Sequence, residues 1–441
     1  MLQGNAAKQI FLFTLPIMAG NFLQQLYNTV DGIVVGQFVS EAALAAIGTC
    51  APVTLLYLAL ALGLSTGSGI VVAQYYGAGQ KKDVRDAVST SLVLLFAVGV
   101  VFAVIGALVA KPLLRYGLAV PDAELDMAVA YLRIYCIGLV FQFLYNIVAA
   151  VLRALGDSKA TLYFLLISSI INIVLDLVLV IGFRAGIVGA AWATVIAQAC
   201  SAFVSLLYMY RRYVDLRFRL STWRFSREKC LMSLRMGIPT TLQQGVVSCG
   251  HMALQRLVNS FGVQFMAGYT AGTRLESYLV IPALAFMIGL STFAGQNIGA
   301  HNIDRVREGY RKTLIMTLGS SIVLSAIALL FAKPLVMLFG VEGESLAMGI
   351  GYLMLVAPFF PIFALYQAAV GVLQGAGDVV FTMFCTLTSL GLRIVVAYVL
   401  AGYTPLGYRA LCISMPIGWG YVLILSFWRY WRGKWKEKAV V

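Results

Sequence analysis

Twelve long apolar runs, each about as long as a membrane-crossing helix, constrain the fold of this 441-residue chain more than any other feature. About 20 mostly apolar residues cross the hydrocarbon core of a bilayer as a helix. Only helices and closed barrels satisfy all their backbone hydrogen bonds in lipid, and these runs are too long and too uniformly apolar for barrel strands. The sequence therefore predicts an all-α membrane protein with twelve transmembrane helices. The predicted spans are about 11–38, 44–74, 87–113, 124–150, 160–183, 187–211, 236–260, 265–295, 311–335, 346–373, 380–402 and 406–430.

Composition and the positions of the charges support a membrane protein over a nucleic-acid-binding one. Apolar residues make up 61% of the chain and charged residues only 11%, whereas a typical soluble domain has about 25% charged residues. The net charge of +14 suits either class. The basic residues lie in short clusters between apolar runs, and none forms a basic face interleaved with aromatic residues. We therefore expect the lipid bilayer as a partner and no nucleic acid.

The basic clusters also predict which loops face the cytoplasm. Lys and Arg concentrate in the second, sixth and eighth loops and in the C-terminal tail, whereas the intervening loops are richer in Asp and Glu. Because cytoplasmic loops carry the excess of Lys and Arg, both termini are predicted to be cytoplasmic. The basic segment 212–235 is the predicted cytoplasmic linker between an N-lobe, 1–211, and a C-lobe, 236–441.

The second half of the chain repeats the first at an offset near 222 residues. The repeated motifs are Ala110–Leu113 with Ala332–Leu335, Leu152–Asp157 (LRALGD) with Leu373–Asp378 (LQGAGD), Gln74 and Gly77-Ala78 with Gln296 and Gly299-Ala300, and Gly63–Thr66 with Gly289–Thr292. Two six-helix lobes have the same orientation in the membrane, so a pseudo-two-fold axis along the membrane normal relates them. Such a pair of lobes favours a secondary transporter that works by alternating access. The alternative is a duplicated scaffold without transport.

These motifs resemble those of the multidrug and toxic compound extrusion (MATE) family over essentially the whole chain. The most specific are Pro16 followed by Asp31 and Gly36, Gln74-x-x-Gly77-Ala78, Arg153-Ala154-x-Gly156-Asp157, and Gln296-x-x-Gly299-Ala300 with Arg305. The chain is more similar to the prokaryotic branch with an acidic site in the N-lobe than to the branch with acids in helices 7 and 10. The resemblance implies an antiporter in a prokaryotic plasma membrane that exports organic cations and other amphipathic compounds in exchange for H⁺ or Na⁺.

Three carboxylates lie inside predicted spans, where an ionisable residue is a functional candidate: Asp31, Asp176 and Glu276. Asn172 lies one helical turn before Asp176, so both are expected to face the same side. The resemblance implies that Asp31, Asn172, Asp176 and Thr194 form the ion-coupling cluster. Their carboxylate, amide and hydroxyl oxygens suit Na⁺, and a buried carboxylate also suits a proton. The alternative is a structural hydrogen-bond network that joins helices 1, 5 and 6.

The C-lobe departs from this pattern. At the repeat offset, Arg393 replaces Asn172 and Ala397 replaces Asp176. The predicted helices 7 and 10 hold no acid, which puts in doubt a C-lobe cation site of the kind that other branches have.

Helices 7, 8 and 11 carry a second set of charges. We predict a C-lobe charge network of Glu276 with Arg256, Arg274 and Arg393, in which Glu276 pairs with Arg256 or Arg393 across helices. The alternative is that Glu276 is a second proton carrier or a contact for cationic substrate.

A cavity for varied amphipathic cations needs aromatic walls, which tolerate many flat cations. The candidate residues are Gln24, Tyr27, Tyr145, Asn146, His251, Phe359, Tyr366 and Gln367. Tyr145 and Tyr366 are repeat equivalents, which favours helices 4 and 10 as walls. Ordinary packing is the alternative for each aromatic residue, and an interhelical hydrogen bond is the alternative for His251.

Other functions find less support in the sequence. The chain lacks a phosphate-binding loop, so the coupling ion takes the place of ATP and we expect no other cofactor. Only two histidines occur and neither lies in H-E-x-x-H, so we expect no enzyme. The arginines inside spans keep open a lipid-linked oligosaccharide flippase, which would need a cationic cavity for a pyrophosphate head group. We expect a monomer.

Overall fold

The apolar runs form helices in the computed structural model of the protein, which describes residues 1–39, 41–118, 120–216 and 225–440. Within these ranges the side chains of residues 28, 30–38, 41–45, 123, 215, 249 and 251 are not described. No strand occurs in the described ranges, and the predicted all-α class is confirmed. The helices are α1 (Ala6–Phe38), α2 (Glu41–Gly77), α3 (Lys81–Pro112), α4 (Asp122–Ala154), α5 (Ser158–Asp176), α6 (Gly186–Arg212), α7 (Arg227–Ser260), α8 (Val263–Leu279), α9 (Ile281–Gly299), α10 (Ile303–Leu330), α11 (Ala332–Met337), α12 (Gly343–Val356), α13 (Phe360–Gly375), α14 (Val379–Tyr403) and α15 (Arg409–Trp431).

Eleven stretches of the described chain are long and apolar enough to cross a membrane, and they fall on eleven of the predicted spans. The helices α8 and α9 form one such stretch, Val263–Gly299, and α12 and α13 form another, Gly343–Gly375. The remaining predicted span, 236–260, lies within α7, a helix of 34 residues. At 1.5 Å per residue, a helix of this length is long enough to cross a bilayer.

The repeated motif at 152–157 and 373–378 forms the same turn in both halves. Gly156 and Gly377 have φ angles of +95° and +89°, a region that glycine adopts without steric cost. Asp157 then caps the start of α5, because its Oδ1 accepts a hydrogen bond from the backbone N–H of Ala160 at 3.1 Å. The motif therefore ends one helix and begins the next, as the sequence predicts for these glycines.

Packing divides the chain into two compact units, and both dividing points lie inside helices. We call Ala19–Thr241 the N unit, and Met1–Met18 together with Leu242–Val441 the C unit. Pro16 in α1 and Pro239 in α7 precede the dividing points by two residues. A proline inside a helix removes one backbone hydrogen bond and favours a bend. Each helix therefore changes units next to a proline.

Glycines allow the first parts of α1 and α7 to pack closely within these units. A Cβ at Gly63 of α2 would overlap the backbone of Thr241, so α7 approaches α2 at backbone distance in the N unit. In the C unit, a Cβ at Gly289 of α9 would overlap the hydroxyl of Thr14 from α1. Small residues permit such close contact between membrane helices. The lobes at 1–211 and 236–441 stay a prediction, and this packing groups the first part of α7 with α2.

Candidate functional site

Three polar side chains meet at the end of α5 in the N unit. Asn172 and Asp176 are 2% and 1% exposed. In the amide orientation that satisfies both neighbours, Asn172 Nδ2 donates to Asp176 Oδ2 at 2.8 Å, and Asn172 Oδ1 accepts from the backbone N–H of Thr194 at 3.2 Å. The Thr194 hydroxyl donates to the carbonyl of Ala190 within α6 at 3.2 Å. The prediction that Asn172 and Asp176 face the same side is confirmed.

Asp176 lies at a change of helix type that the sequence did not predict. The α-helix ends at Asp176, and a π-helical turn, Leu177–Gly182, follows it. A π-helical turn shifts the backbone hydrogen bonds by one residue, and such turns occur often at functional sites. The turn contains no proline, and its one glycine is its last residue. Apolar periodicity alone therefore could not locate it.

This cluster holds a carboxylate within a span that is otherwise apolar. Burying a charge costs free energy unless hydrogen bonds or an opposite charge compensate it. The Asn172 amide supplies one such bond, because its N–H group points at the Asp176 carboxylate. A proton or small cation that binds the carboxylate would remove its negative charge. The arrangement is therefore chemically suited to respond to ion binding between α5 and α6.

Asp31 is the other carboxylate predicted for this cluster. Its backbone lies in α1, within the N unit that also contains Asn172 and Asp176. Its side chain lies outside the described part of the chain, as does that of His251 on α7. Both site assignments therefore stay predictions.

The corresponding corner of the C unit carries a different set of side chains. The offset that aligns 152–157 with 373–378 is 221 residues. At this offset the equivalent pairs are Asn172 with Arg393, Asp176 with Ala397, and Thr194 with Met415. Ala397 and Met415 are both buried. The C unit therefore replaces the carboxylate and hydroxyl with apolar groups, and the amide with a cation.

Glu276 of α8 contacts a tyrosine rather than an arginine. The hydroxyl of the fully buried Tyr352 donates to Glu276 Oε2. Tyr269 packs edge-on against Tyr352, with ring centroids 5.3 Å apart. Within the described ranges, no ion pair of 4.0 Å or less joins Glu276 to Arg256 or Arg393. The predicted pairing is wrong in this structure, because the Tyr352 hydroxyl occupies the carboxylate.

The three arginines of the predicted charge network lie in different surroundings. Arg256 and Arg274 are exposed on α7 and α8, whereas Arg393 of α14 is half-buried. Arg393 interacts electrostatically with Glu276 without touching it. The proposed network therefore retains one half-buried arginine near the carboxylate and no direct ion pair with it.

The predicted substrate-cavity residues differ in exposure. The exposed members are Gln24 and Phe359, the partly buried ones are Tyr27, Tyr145 and Tyr366, and the buried ones are Asn146 and Gln367. Asn146 is engaged locally, because its Nδ2 donates to the carbonyl of Gln142 one turn earlier, at 2.8 Å. Tyr366 packs edge-on against Phe363, with ring centroids 5.1 Å apart. Their role as cavity walls stays a prediction.

Two carboxylates that were not predicted as site residues hold the ends of α6 and α15. Asp157 Oδ2 accepts hydrogen bonds from the hydroxyls of Tyr208 at 2.8 Å and Tyr213 at 3.4 Å. Asp378 forms a two-point ion pair with Arg429, with Nε to Oδ2 at 2.7 Å and Nη2 to Oδ1 at 3.2 Å. Burial and the neighbouring Asp157 carboxylate raise the pKa of Tyr213. The phenol therefore stays protonated at neutral pH and can donate.

A further cluster in the N unit fixes the start of α7. Lys229 Nζ lies 3.0 Å from Asp83 Oδ1 and 3.6 Å from the centroid of the Tyr75 ring. Lys229 is 6% exposed, and a cation over an aromatic face is stabilised by the ring's electrostatic field. The cluster joins α7 to α2 and α3. Sequence reasoning treated Lys229 only as part of a basic linker.

Comparison with known proteins reproduces the internal repeat. A family model described as MatE matches residues 16–178 and again residues 239–399. The two matches start at positions whose separation agrees with the repeat offset read from the motifs. One family unit therefore occurs twice in this chain, as predicted.

Curated relatives align along most of the chain. The chain is 30% identical over 441 residues to the probable multidrug resistance protein YoeA of Bacillus subtilis (strain 168), covering 98% of this chain and 95% of that protein. It is 25% identical over 444 residues to the probable multidrug resistance protein NorM of Thermotoga maritima, covering 98% and 94%. An FAD transporter of Shewanella oneidensis is 25% identical over 354 residues, covering 78% and 77%. These relatives are transporters rather than enzymes, as expected.

Solved structures share the fold. One is the outward-facing conformation of a multidrug resistance MATE transporter of the MOP superfamily, with a TM-score of 0.93, 25% identity and coverage of 99% of this chain and 98% of that one. Another is a MOP superfamily transporter from Pyrococcus furiosus whose binding pocket has reverse polarity, with a TM-score of 0.92, 25% identity and the same coverage. These matches confirm the predicted two-lobe membrane fold.

Proposed function

This chain belongs to the MatE family, and we propose that it is an antiporter that exports amphipathic organic cations in exchange for H⁺ or Na⁺. It is a multi-pass membrane transporter that handles small molecules. Exchange by alternating access, the coupling ion and the cationic substrate class are the parts that we propose. Relatives with the name of multidrug resistance proteins support the export of varied compounds.

The observation that carries this proposal is the buried contact between Asn172 and Asp176 in the N unit. A carboxylate inside a membrane span is retained where it serves an ion or substrate pathway. Binding of an ion at Asp176 and Asp31 would lower the negative charge of the cluster and favour release of a cationic substrate. Loss of the ion to the cytoplasm would restore the carboxylates.

The geometry of the cluster favours a proton over Na⁺. Na⁺ is a hard cation that needs several oxygen ligands. Asn172 turns an N–H group toward Asp176, and its oxygen accepts from the Thr194 backbone instead. A sodium site would require that amide to rotate, whereas a proton needs only the carboxylate. We therefore propose H⁺ as the first coupling ion to test.

Efflux of ethidium from cells or energised vesicles tests the coupling role. We expect Asp176→Asn and Asp31→Asn to remove concentrative efflux while the proteins remain folded. The matched control is Asp126→Asn, which changes an exposed carboxylate of α4 in the same unit. Unimpaired efflux by Asp176→Asn would remove this residue from the mechanism.

Separate gradients identify the ion. Purified protein in proteoliposomes would be given a pH gradient without Na⁺, and then a Na⁺ gradient at equal pH. We expect ethidium transport under the pH gradient alone. Transport only under the Na⁺ gradient would replace H⁺ by Na⁺ and imply that Asn172 turns its oxygen toward Asp176.

We also propose that the protein is a monomer with both termini in the cytoplasm. The excess of Lys and Arg in alternate loops supports this orientation. A C-terminal tag should be cleaved by protease in inside-out vesicles and protected in right-side-out vesicles. Sedimentation in detergent should give the mass of one chain.

A second candidate, a lipid-linked oligosaccharide flippase, rests on one observation. Arg393 has no direct ion pair in the described chain, and a pyrophosphate head group binds such cations. A proteoliposome assay of lipid-linked oligosaccharide movement tests it. Absence of movement by wild-type protein would remove this candidate and leave the antiporter.

A further inference from the structure

Arg393 is a half-buried cation whose hydrogen-bonding capacity is not used within the described chain. Its Nε atom is shielded from solvent and has no hydrogen-bond partner there. No carboxylate lies within 4.0 Å of its guanidinium in the same ranges. A guanidinium presents five N–H donors in a planar fork. Arg393 therefore keeps donors available for a group from outside the chain.

The fold makes room for the aliphatic stem of this arginine. A Cβ at Gly418 of α15 would overlap Cγ and Cδ of Arg393, so the stem lies directly on a glycine. The neighbouring hydroxyl of Ser389 donates to the Gly418 carbonyl at 2.9 Å. That hydrogen bond ties α14 to α15 at the level of Gly418. The position of Arg393 is therefore set by two packed helices.

The nearest described carboxylate is engaged elsewhere. Glu276 accepts the Tyr352 hydroxyl, and it affects Arg393 only at longer range. Tyr269 and Tyr366 interact electrostatically with both charged groups. The guanidinium is thus bordered by aromatic side chains, with a negative charge nearby that does not cap it.

A buried cation without a direct counter-ion costs free energy, and inside a membrane it marks a ligand pathway by default. We propose that Arg393 binds an oxyanion of the substrate, a carboxylate or a phosphate, through its planar fork. This inference rests on the proposed transport function and extends the substrate class. The carrier would accept amphipathic compounds that carry an oxyanion, including zwitterions, besides simple cations. The N unit has an amide at the equivalent position and offers no such contact.

A matched pair of dyes tests the inference by binding, without any need for transport. Rhodamine B has a free carboxylate, and rhodamine B ethyl ester has the same ring system with that group blocked. Fluorescence anisotropy with purified protein would compare wild type, Arg393→Gln and Arg393→Lys. The control is Arg409→Gln, an exposed cation at the start of α15. Size-exclusion profiles and melting temperatures would establish that each variant is folded.

We expect Arg393→Gln to weaken binding of rhodamine B about 10- to 100-fold, the usual range for loss of hydrogen bonds to a charged group. Binding of the ester should change less than about threefold, and Arg393→Lys should recover part of the loss because it keeps the charge. The control should bind both dyes like wild type.

Three results would overturn the inference. Equal losses for both dyes would assign Arg393 to packing, no loss would assign it no contact, and wild-type protein that does not bind rhodamine B would exclude the site. The proposed antiport fails separately, if wild-type vesicles do not export the ester. In that case Arg393-dependent binding of rhodamine B would still stand.

Discussion

The corner between α5 and α6 and the corner between α14 and α15 occupy equivalent places in the repeat and have opposite electrostatic character. The first buries an amide that donates to a carboxylate, Asn172 to Asp176. The second has Arg393 and Ala397 at the same positions. Duplication has therefore preserved the backbone that positions these side chains, while their chemistry has separated. The comparison assigns ion coupling to one corner and oxyanion binding to the other.

The ends of the same helices differ in a more conservative way. Asp157 and Asp378 both follow the repeated glycine turn, but Asp157 binds two tyrosine hydroxyls and Asp378 binds the guanidinium of Arg429. Tyr208 and Arg429 are themselves equivalent at the 221-residue offset. An acid with a partner on the last helix of the unit is kept in both halves, and only the partner's charge has changed.

The largest effect should come from moving the carboxylate between the two corners. We expect the double variant Asp176→Asn with Ala397→Asp to remain without concentrative efflux. The new carboxylate lacks the Asn172 amide and faces the Arg393 cation instead. Each coupled charge contributes about 2.3 kcal/mol per 100 mV, so losing one lowers the attainable substrate gradient about 40-fold at that potential. Vesicle dye gradients at fixed membrane potential measure it, and recovery in the double variant would show that the corners are interchangeable.

A smaller but substantial effect should follow from breaking the ion pair of the C unit. Arg429→Gln leaves the Asp378 carboxylate, 4% exposed, without its counter-ion. Removing one partner of a buried pair costs about 3–5 kcal/mol, so the melting temperature in detergent should fall clearly. Arg432→Gln, an exposed arginine three residues later, is the control and should melt like wild type. Equal melting of both variants would mean that the pair contributes nothing to stability.

The equivalent glycines Gly63 and Gly289 should differ in their tolerance of alanine. At Gly63 the added Cβ meets the Thr241 backbone, whereas at Gly289 it meets the Thr14 hydroxyl, which can rotate away. Overpacking that displaces backbone costs about 1–3 kcal/mol, so Gly63→Ala should lower the melting temperature more than Gly289→Ala. The opposite order would show that α7 shifts away from α2 more easily than Thr14 rotates.

The smallest effect should come from the tyrosine partner of Asp157. Tyr208→Phe removes one hydrogen bond of 2.8 Å and leaves Tyr213 to donate to the same carboxylate. A single hydrogen bond contributes about 1 kcal/mol, so thermal unfolding should shift by much less than in Arg429→Gln. A shift as large as that of Arg429→Gln would mean that the neutral and charged partners are equivalent.

Much of the fold could be predicted because lipid imposes simple rules. A run of about 20 apolar residues is sufficient to predict a spanning helix, and repeated motifs such as LRALGD and LQGAGD reveal the duplication. The same duplication predicts that Arg393 replaces Asn172. The contact between Asn172 and Asp176 followed from their spacing of one helical turn.

The remaining features depend on tertiary contacts that leave no periodic signal. The partner of Glu276 depends on which side chain reaches its carboxylate, and Tyr352 lies 76 residues away in the chain. The π-helical turn after Asp176 occurs within a run of Leu, Val and Ile that is equally compatible with an α-helix. The change of unit inside α1 and α7 depends on glycines in other helices, such as Gly63. Each of these requires knowledge of what packs against the residue.

The assignment of Met1–Met18 to the C unit has a consequence for the order of synthesis. Thr14 leaves the ribosome early, but its packing partner Gly289 is made about 275 residues later. At about 5–20 residues per second, the first segment waits on the order of 10 to 60 s for that partner. The N unit has no such delay, because its last segment, up to Thr241, is also the last part of it to be translated. Translation speed, rather than a conformational search, therefore sets the earliest moment at which the C unit can close.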